Sequence, residues 1–128
     1  MNATTRFALP LLAAGQAQKE LTHNEALTLL DALAHPCVES VGDNVPPAEP
    51  EPGQCWIVGS APVDAWAGAG EALAMWTEAG WRFVASREGM RVTLRTDQTV
   101  ASYASGEWTS GVMAANQIIV AGNQVVAA

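Results

Sequence analysis

Lys19, Glu20, His23, Asn24 and Glu25 crowd into the stretch GQAQKELTHNEAL, residues 15–27. An imidazole, an amide and carboxylates in one window are the ingredients of a metal site or of general acid–base catalysis. The spacing argues against both. A helical metal motif sets its ligands one turn apart, whereas His23 and Glu25 are two apart and diverge by about 200° around a helix. The second histidine, His35, lies twelve residues further on. There an imidazole would meet the negative end of a helix dipole. Thr22 and Glu25 instead have capping-box spacing, in which each side chain answers a backbone N–H of the first turn. We read them as a helix cap.

Other chemistries find no better footing. The chain has no GxSxG elbow, no phosphate-binding glycine loop followed by lysine, and no dinucleotide fingerprint. Cys37 and Cys55 form no CxxC pair, which argues against zinc. Buried free thiols are the expected state, with a single disulfide only if their strands prove to be neighbours. Glu49 and Glu51 sit in a proline-rich stretch and read as solvated. No catalytic residue, cofactor or metal is expected, and the sequence reads as a non-enzyme.

Two sets of residues suit contact with a partner. In MRVTLRT (90–96), alternation puts Arg91, Thr93 and Arg95 on one strand face and Met90, Val92 and Leu94 on the other. A solvated outer face is the plain reading, with an acidic partner or a neighbouring subunit as the alternative. Among the aromatics, Trp76 and Trp81 read as core. Trp66, set among Ala and Gly, is the best candidate for exposure, and with Tyr103 and Trp108 it would form a sugar-stacking platform.

The elements that must position these residues follow from the 128-residue length, which suits one domain. The apolar share is 49%, much of it Ala and Val, so the core is thin and the five tryptophans anchor it. The formal charge of −7 is uneven. Residues 80–128 hold Glu88, Asp97 and Glu107 against Arg82, Arg87, Arg91 and Arg95, and every other acid lies earlier. So acidic a chain, with one lysine, lacks the footprint of a nucleic-acid binder. No secretion signal or membrane-spanning run is evident, so no membrane insertion is expected.

Residues 1–14 read as an extended arm whose Phe7, Leu9, Leu11 and Leu12 must pack on the body or on another subunit. Pro10 blocks helix there. A helix is expected from Thr22 to Ala34, ended by Pro36. The stretch PPAEPEPG (46–53) is a stiff connection. Short strands are expected at 37–41, 54–58, 71–76, 81–85, 91–95 and 100–103. WTEAGW (76–81) and YASGEW (103–108) echo each other as hairpins with a cross-strand aromatic pair. Residues 113–128 fit a terminal hairpin or an assembly strand. The domain proper thus covers 15–112. Its expected class is α+β, mainly β: a small antiparallel β-sandwich or barrel with one N-terminal helix.

LPLLAAGQAQKELTHNEALTLLDAL (9–33), PPAEPEPGQCWIVG (46–59), AWAGAG (65–70), GWRF (80–83), REGM (87–90) and the tail IIVAGNQVVAA occur in that order. Together they resemble a domain family of formerly unknown function found in phage and prophage tail-fibre or spike proteins of alphaproteobacteria. The chain also resembles the head-spike components of gene transfer agents, phage-like particles that carry host DNA. Many relatives continue past the last hairpin, whereas this sequence stops at Ala128, which suggests a base protein carrying a separate host-binding fibre.

The resemblance implies a structural component of a virion or phage-like particle, assembled in the bacterial cytoplasm and released. The implied partners are capsid and spike fibre, docked through Phe7, Leu9, Leu11 and Leu12. A cyclic homo-oligomer, pentamer or trimer, goes with a spike. The alternative is a tail-fibre adhesion module that binds host surface polysaccharide through Trp66, Tyr103, Trp108, Arg91 and Arg95.

Overall fold

The computed structural model describes residues 3–6, 9–11 and 19–125. Helix α1 (Lys19–Leu33) precedes seven strands of one sheet: β1 (Cys37–Asp43), β2 (Cys55–Val58), β3 (Leu73–Thr77), β4 (Gly80–Val84), β5 (Arg91–Leu94), β6 (Val100–Ala104) and β7 (Glu107–Ser110). Their order is β4-β3-β2-β1-β5-β6-β7. The expected α+β, mainly β class with one N-terminal helix is what the structure shows.

Two antiparallel meanders, β2-β3-β4 and β5-β6-β7, flank β1. β1 runs parallel to both of its neighbours, β2 and β5. The antiparallel expectation therefore fails at β1, and the sheet is open where a sandwich or closed barrel was expected. The proline-rich segment explains the first parallel pair, because parallel neighbours need a long crossover and residues 44–54 supply it.

Alternation along the strands builds two cores. The inner face carries Val38, Cys55, Ile57, Leu73, Met75, Val92 and Ala101, with Ala32 of α1 laid against them. The outer face of the first meander carries Trp56, Val58 and Ala74, with Trp76, Trp81 and Phe83 packed beside them. The link from β2 to β3 is a fourteen-residue excursion (59–72) that folds over this face and seats Trp66, from the 3-10 turn Asp64–Trp66, in its centre.

Gly59 makes the start of that excursion feasible. A Cβ there would run into Asn44 Oδ1 and lie 2.5 Å from the Gly42 carbonyl oxygen. With no side chain, the Gly59 N–H donates to the Asp43 carbonyl at 2.7 Å. Asn44 then holds the next turn through the Ala61 N–H, donated to its Oδ1 at 3.0 Å.

Helix α1 is already formed at Lys19, the first described residue of this segment and three before the expected cap, so Thr22 lies inside the helix and does not head it. Lys19, Glu20 and Leu21 are competent helix formers, and a capping-box pair can recur within a helix by coincidence of spacing. The far end lies one residue short of the expected Ala34: the helix closes at Leu33, His35 takes a left-handed φ of 47°, and Pro36 keeps the helix from resuming.

Beyond the seven-stranded sheet, β8 (Ile118–Val120) and β9 (Asn123–Val125) pair as a separate two-stranded sheet. Ala121 and Gly122 both have positive φ, the turn geometry that suits a two-residue hairpin loop.

Candidate functional site

The N-terminal arm closes onto the body of its own chain at the residues described. Thr4 N–H donates to the Leu9 carbonyl at 2.9 Å, and Ala3 bridges to Pro10. From this small loop Thr4 Oγ1 donates to Asp31 Oδ1 at 2.9 Å, and the Arg6 backbone N–H to Asp31 Oδ2 at 2.7 Å. Asp31 is wholly buried, so its carboxylate depends on these donors. The Arg6 guanidinium meanwhile donates to the carbonyls of Asp31 (2.7 Å), Ala34 (2.6 Å) and His35 (2.5 Å).

Those carbonyls gather at and just beyond the C-terminal end of α1, where a helix leaves its last carbonyls unpaired and the dipole also favours a cation. Arg6 thus takes the part that sequence reasoning gave to His35. Of the proposed docking residues, Leu9 and Leu11 are half-buried, while Phe7 and Leu12 lie outside the described residues.

The opening cluster resolves into a structural contact. His23 is exposed, and Glu25 accepts from Arg82 on β4: Nε at 2.8 and 3.1 Å, Nη2 at 2.8 Å. This two-pronged pair ties α1 to the edge of the sheet, and it holds the Arg82 guanidinium above its ordinary pKa.

The aromatic platform does not assemble. Trp66 is fully buried, 5.4 Å centroid to centroid from Trp81 and 6.2 Å from Trp56. Its expected exposure is overturned because the excursion turns the indole inward, onto Trp56 and Trp81, while the flanking Ala65, Ala67 and Gly68 stay exposed. Tyr103 and Trp108 do pair across their hairpin, centroids 5.5 Å apart, on the opposite, inner side.

Trp108 Nε1 donates to the Glu71 carbonyl at 2.9 Å and to Ser86 Oγ at 3.0 Å. Ser86 Oγ in turn donates to the same carbonyl at 2.5 Å. The sheet therefore curls until edge strand β7 reaches the start of β3 and the end of β4, and a side-chain strut joins the two edges in place of a backbone ladder. Beside the strut a shallow groove of about 480 Å³ is lined by residues 67–72, Phe83, Ala85, Ser86 and Tyr103.

Arg91 and Arg95 share the outer face with Thr93, as alternation predicts. Arg95 Nε donates to Glu39 Oε2 at 2.8 Å, so the acidic partner is a neighbouring strand of the same chain. Arg91 is exposed on a second shallow groove of about 540 Å³, which His35, Cys37 and Gln98 also line.

Cys37 and Cys55 are free thiols on adjacent strands. Burial pushes the Cys55 thiol up to about 11, so it is an inert core group at neutral pH. Among the described residues no set of three His, Cys, Asp or Glu side chains is placed to hold a metal ion, and no helix is long and apolar enough to cross a membrane.

Sequence reasoning missed Arg6, Asp31 and Ser86. Only Arg6 carried a signal: it is one of two bases in the first 79 residues, a cation beside an otherwise apolar arm.

These features define a small α+β domain whose polar and aromatic side chains mostly brace its own fold. Residues 23–109 match a protein family of unknown function, DUF2793, and the chain belongs to that family. The match runs from within α1 to β7 and so takes in nearly the whole seven-stranded sheet, leaving the arm and the terminal hairpin outside. No curated protein matches the chain.

Proposed function

We propose that this protein is a structural component of a phage-like particle, the base of a head spike that attaches a host-binding fibre to the capsid. The observation that carries the reading is the contrast between an internally braced sheet and the segment that follows it. Residues 111–125 are exposed at every position except Ile118, and among them Val112, Met113, Ile119, Val120 and Val125 are large apolar side chains. An isolated two-stranded hairpin is marginal in water and gains stability from further strands or a packed layer. A chain that completes itself by assembly supplies them.

The resemblance of the sequence to phage and gene-transfer-agent spike domains supports the same reading. Polysaccharide adhesion has less support, because Trp66 is buried and the Trp108 indole N–H is committed to the strut.

Electron microscopy of particles made with and without this chain tests the proposal. Spikes should vanish from particles that lack it, while heads and tails remain. Fully spiked particles in its absence would refute it. Truncation of residues 1–12 is a poorer test, since it removes Thr4 and Arg6 and thereby unseats α1.

A further inference from the structure

Every charged side chain in the sequence lies at or before Glu107, and residues 108–128 hold none. The net charge of −7 thus belongs entirely to the part of the chain that carries the seven-stranded sheet, so the bodies of two copies repel each other on balance. The terminal hairpin is the place where copies can approach without that repulsion.

It is also built like a strand meant for pairing. Among the described residues β8 pairs only with β9, so each has one open edge. Neither edge carries the lysine, proline or inward charge by which exposed strands avoid joining one another. Ile119, Val120 and Val125 are 60, 57 and 47% exposed, so apolar surface is offered along with the unpaired backbone. Every copy carries the same two edges, so a closed head-to-tail ring, with the β9 edge of one hairpin against the β8 edge of the next, satisfies both edges of every hairpin at once.

We infer that β8–β9 is a homotypic assembly element: hairpins from copies of this chain pair edge to edge about a common axis and bury Ile119, Val120 and Val125. The inference rests on the reading of the chain as an assembly component, and not on which particle it serves. A competing apolar surface is the outward stripe of α1, where Leu30 is 54% and Leu33 39% exposed. That surface shares α1 with acidic residues, whereas the hairpin has no charge at all.

Sedimentation of the purified full chain tests this. The wild type should run at a multiple of 13.4 kDa. Ile119→Lys, and separately Val125→Lys on the other strand, should run at 13.4 kDa with unchanged tryptophan fluorescence, because the hairpin lies outside the sheet that holds the tryptophans. Leu30→Glu should stay assembled.

Added salt should tighten the wild-type assembly by screening the acidic surfaces, whereas an interface built on ion pairs would loosen. A monomeric wild type, hairpin variants that stay assembled, or dissociation by Leu30→Glu alone would each overturn the inference. The sedimentation result stands apart from the particle reading: an oligomer with no place on any particle would leave the pairing intact and the spike assignment refuted.

Discussion

The two meanders that flank β1 carry the same local device and put it to different ends. Each has a tight hairpin with an aromatic pair facing across it, Trp76 with Trp81 in one and Tyr103 with Trp108 in the other. In the first, the pair lies on the outer face and is covered by a long excursion that brings Trp66 down upon it. In the second, the pair lies on the inner face, and Trp108 reaches across the curled sheet to bond Glu71 and Ser86. Aromatic spacing around a turn sets the cross-strand contact, while the connections elsewhere in the chain decide which face is buried and what the aromatic does there.

Substitutions can separate the two halves. Trp66→Ala should have the largest effect, about 3–5 kcal/mol, because it opens a cavity at the centre of the outer cluster. Hydrogen exchange should then accelerate through β2, β3 and β4 while β5–β7 keep their protection; uniform loss across the sheet would show that the meanders do not act as separate units. Arg6→Ala comes next. It leaves several helix-end carbonyls without a donor, and a loss of about 2 kcal/mol in denaturant unfolding is expected, with α1 the first element to exchange.

Trp108→Phe keeps the ring contact with Tyr103 but removes the strut. It should cost about 1 kcal/mol and raise exchange at β7 and at residues 84–86, with little change at Trp66. An unaffected β7 would mean that the sheet curls without the strut. Glu25→Gln breaks an exposed ion pair and should cost less than about 1 kcal/mol, a loss that shrinks further in high salt.

The smallest effect belongs to the β5–β6 turn. There Asp97 Oδ1 accepts from the Thr99 N–H at 3.0 Å and from the Thr99 hydroxyl at 2.7 Å. The backbone N–H and then the hydroxyl hold its carboxyl below the ordinary carboxylate value. A lowered folded-state value means that its stabilisation is present above the ordinary carboxylate range and lost as pH falls through the lowered value. The difference in melting temperature between wild type and Asp97→Asn should therefore be small at neutral pH and vanish in strong acid.

Much of this was legible in the sequence because it is local. Six of the seven sheet strands fall where short strands are expected from the sequence. The two aromatic echoes gave their hairpins, and Arg91, Thr93 and Arg95 fell on one face as a period of two requires. What escaped depends on distant parts of the chain. Nothing near Cys37–Asp43 reports that its neighbours would be β2 and β5, or that both would run parallel to it. Trp66 reads as exposed among Ala and Gly, and Ala65, Ala67 and Gly68 are exposed, but the indole between them turns inward onto tryptophans of two distant strands. Thr22 and Glu25 satisfy a capping pattern that the helix overruns. Glu25 finds its partner in Arg82, and Arg6 and Asp31 are twenty-five residues apart, so no window of helical or strand period joins either pair.

The central claim, a braced domain that serves as the base of a spike, is tested most directly by finding the chain on intact particles. A small tag in the exposed Glu78–Ala79 turn, away from the hairpin and the arm, allows gold labelling under the electron microscope. The account predicts label at the capsid surface, clustered where spikes arise and in more than one copy per spike. Purified particles that carry no label, while tagged protein stays behind in the lysate, would contradict it.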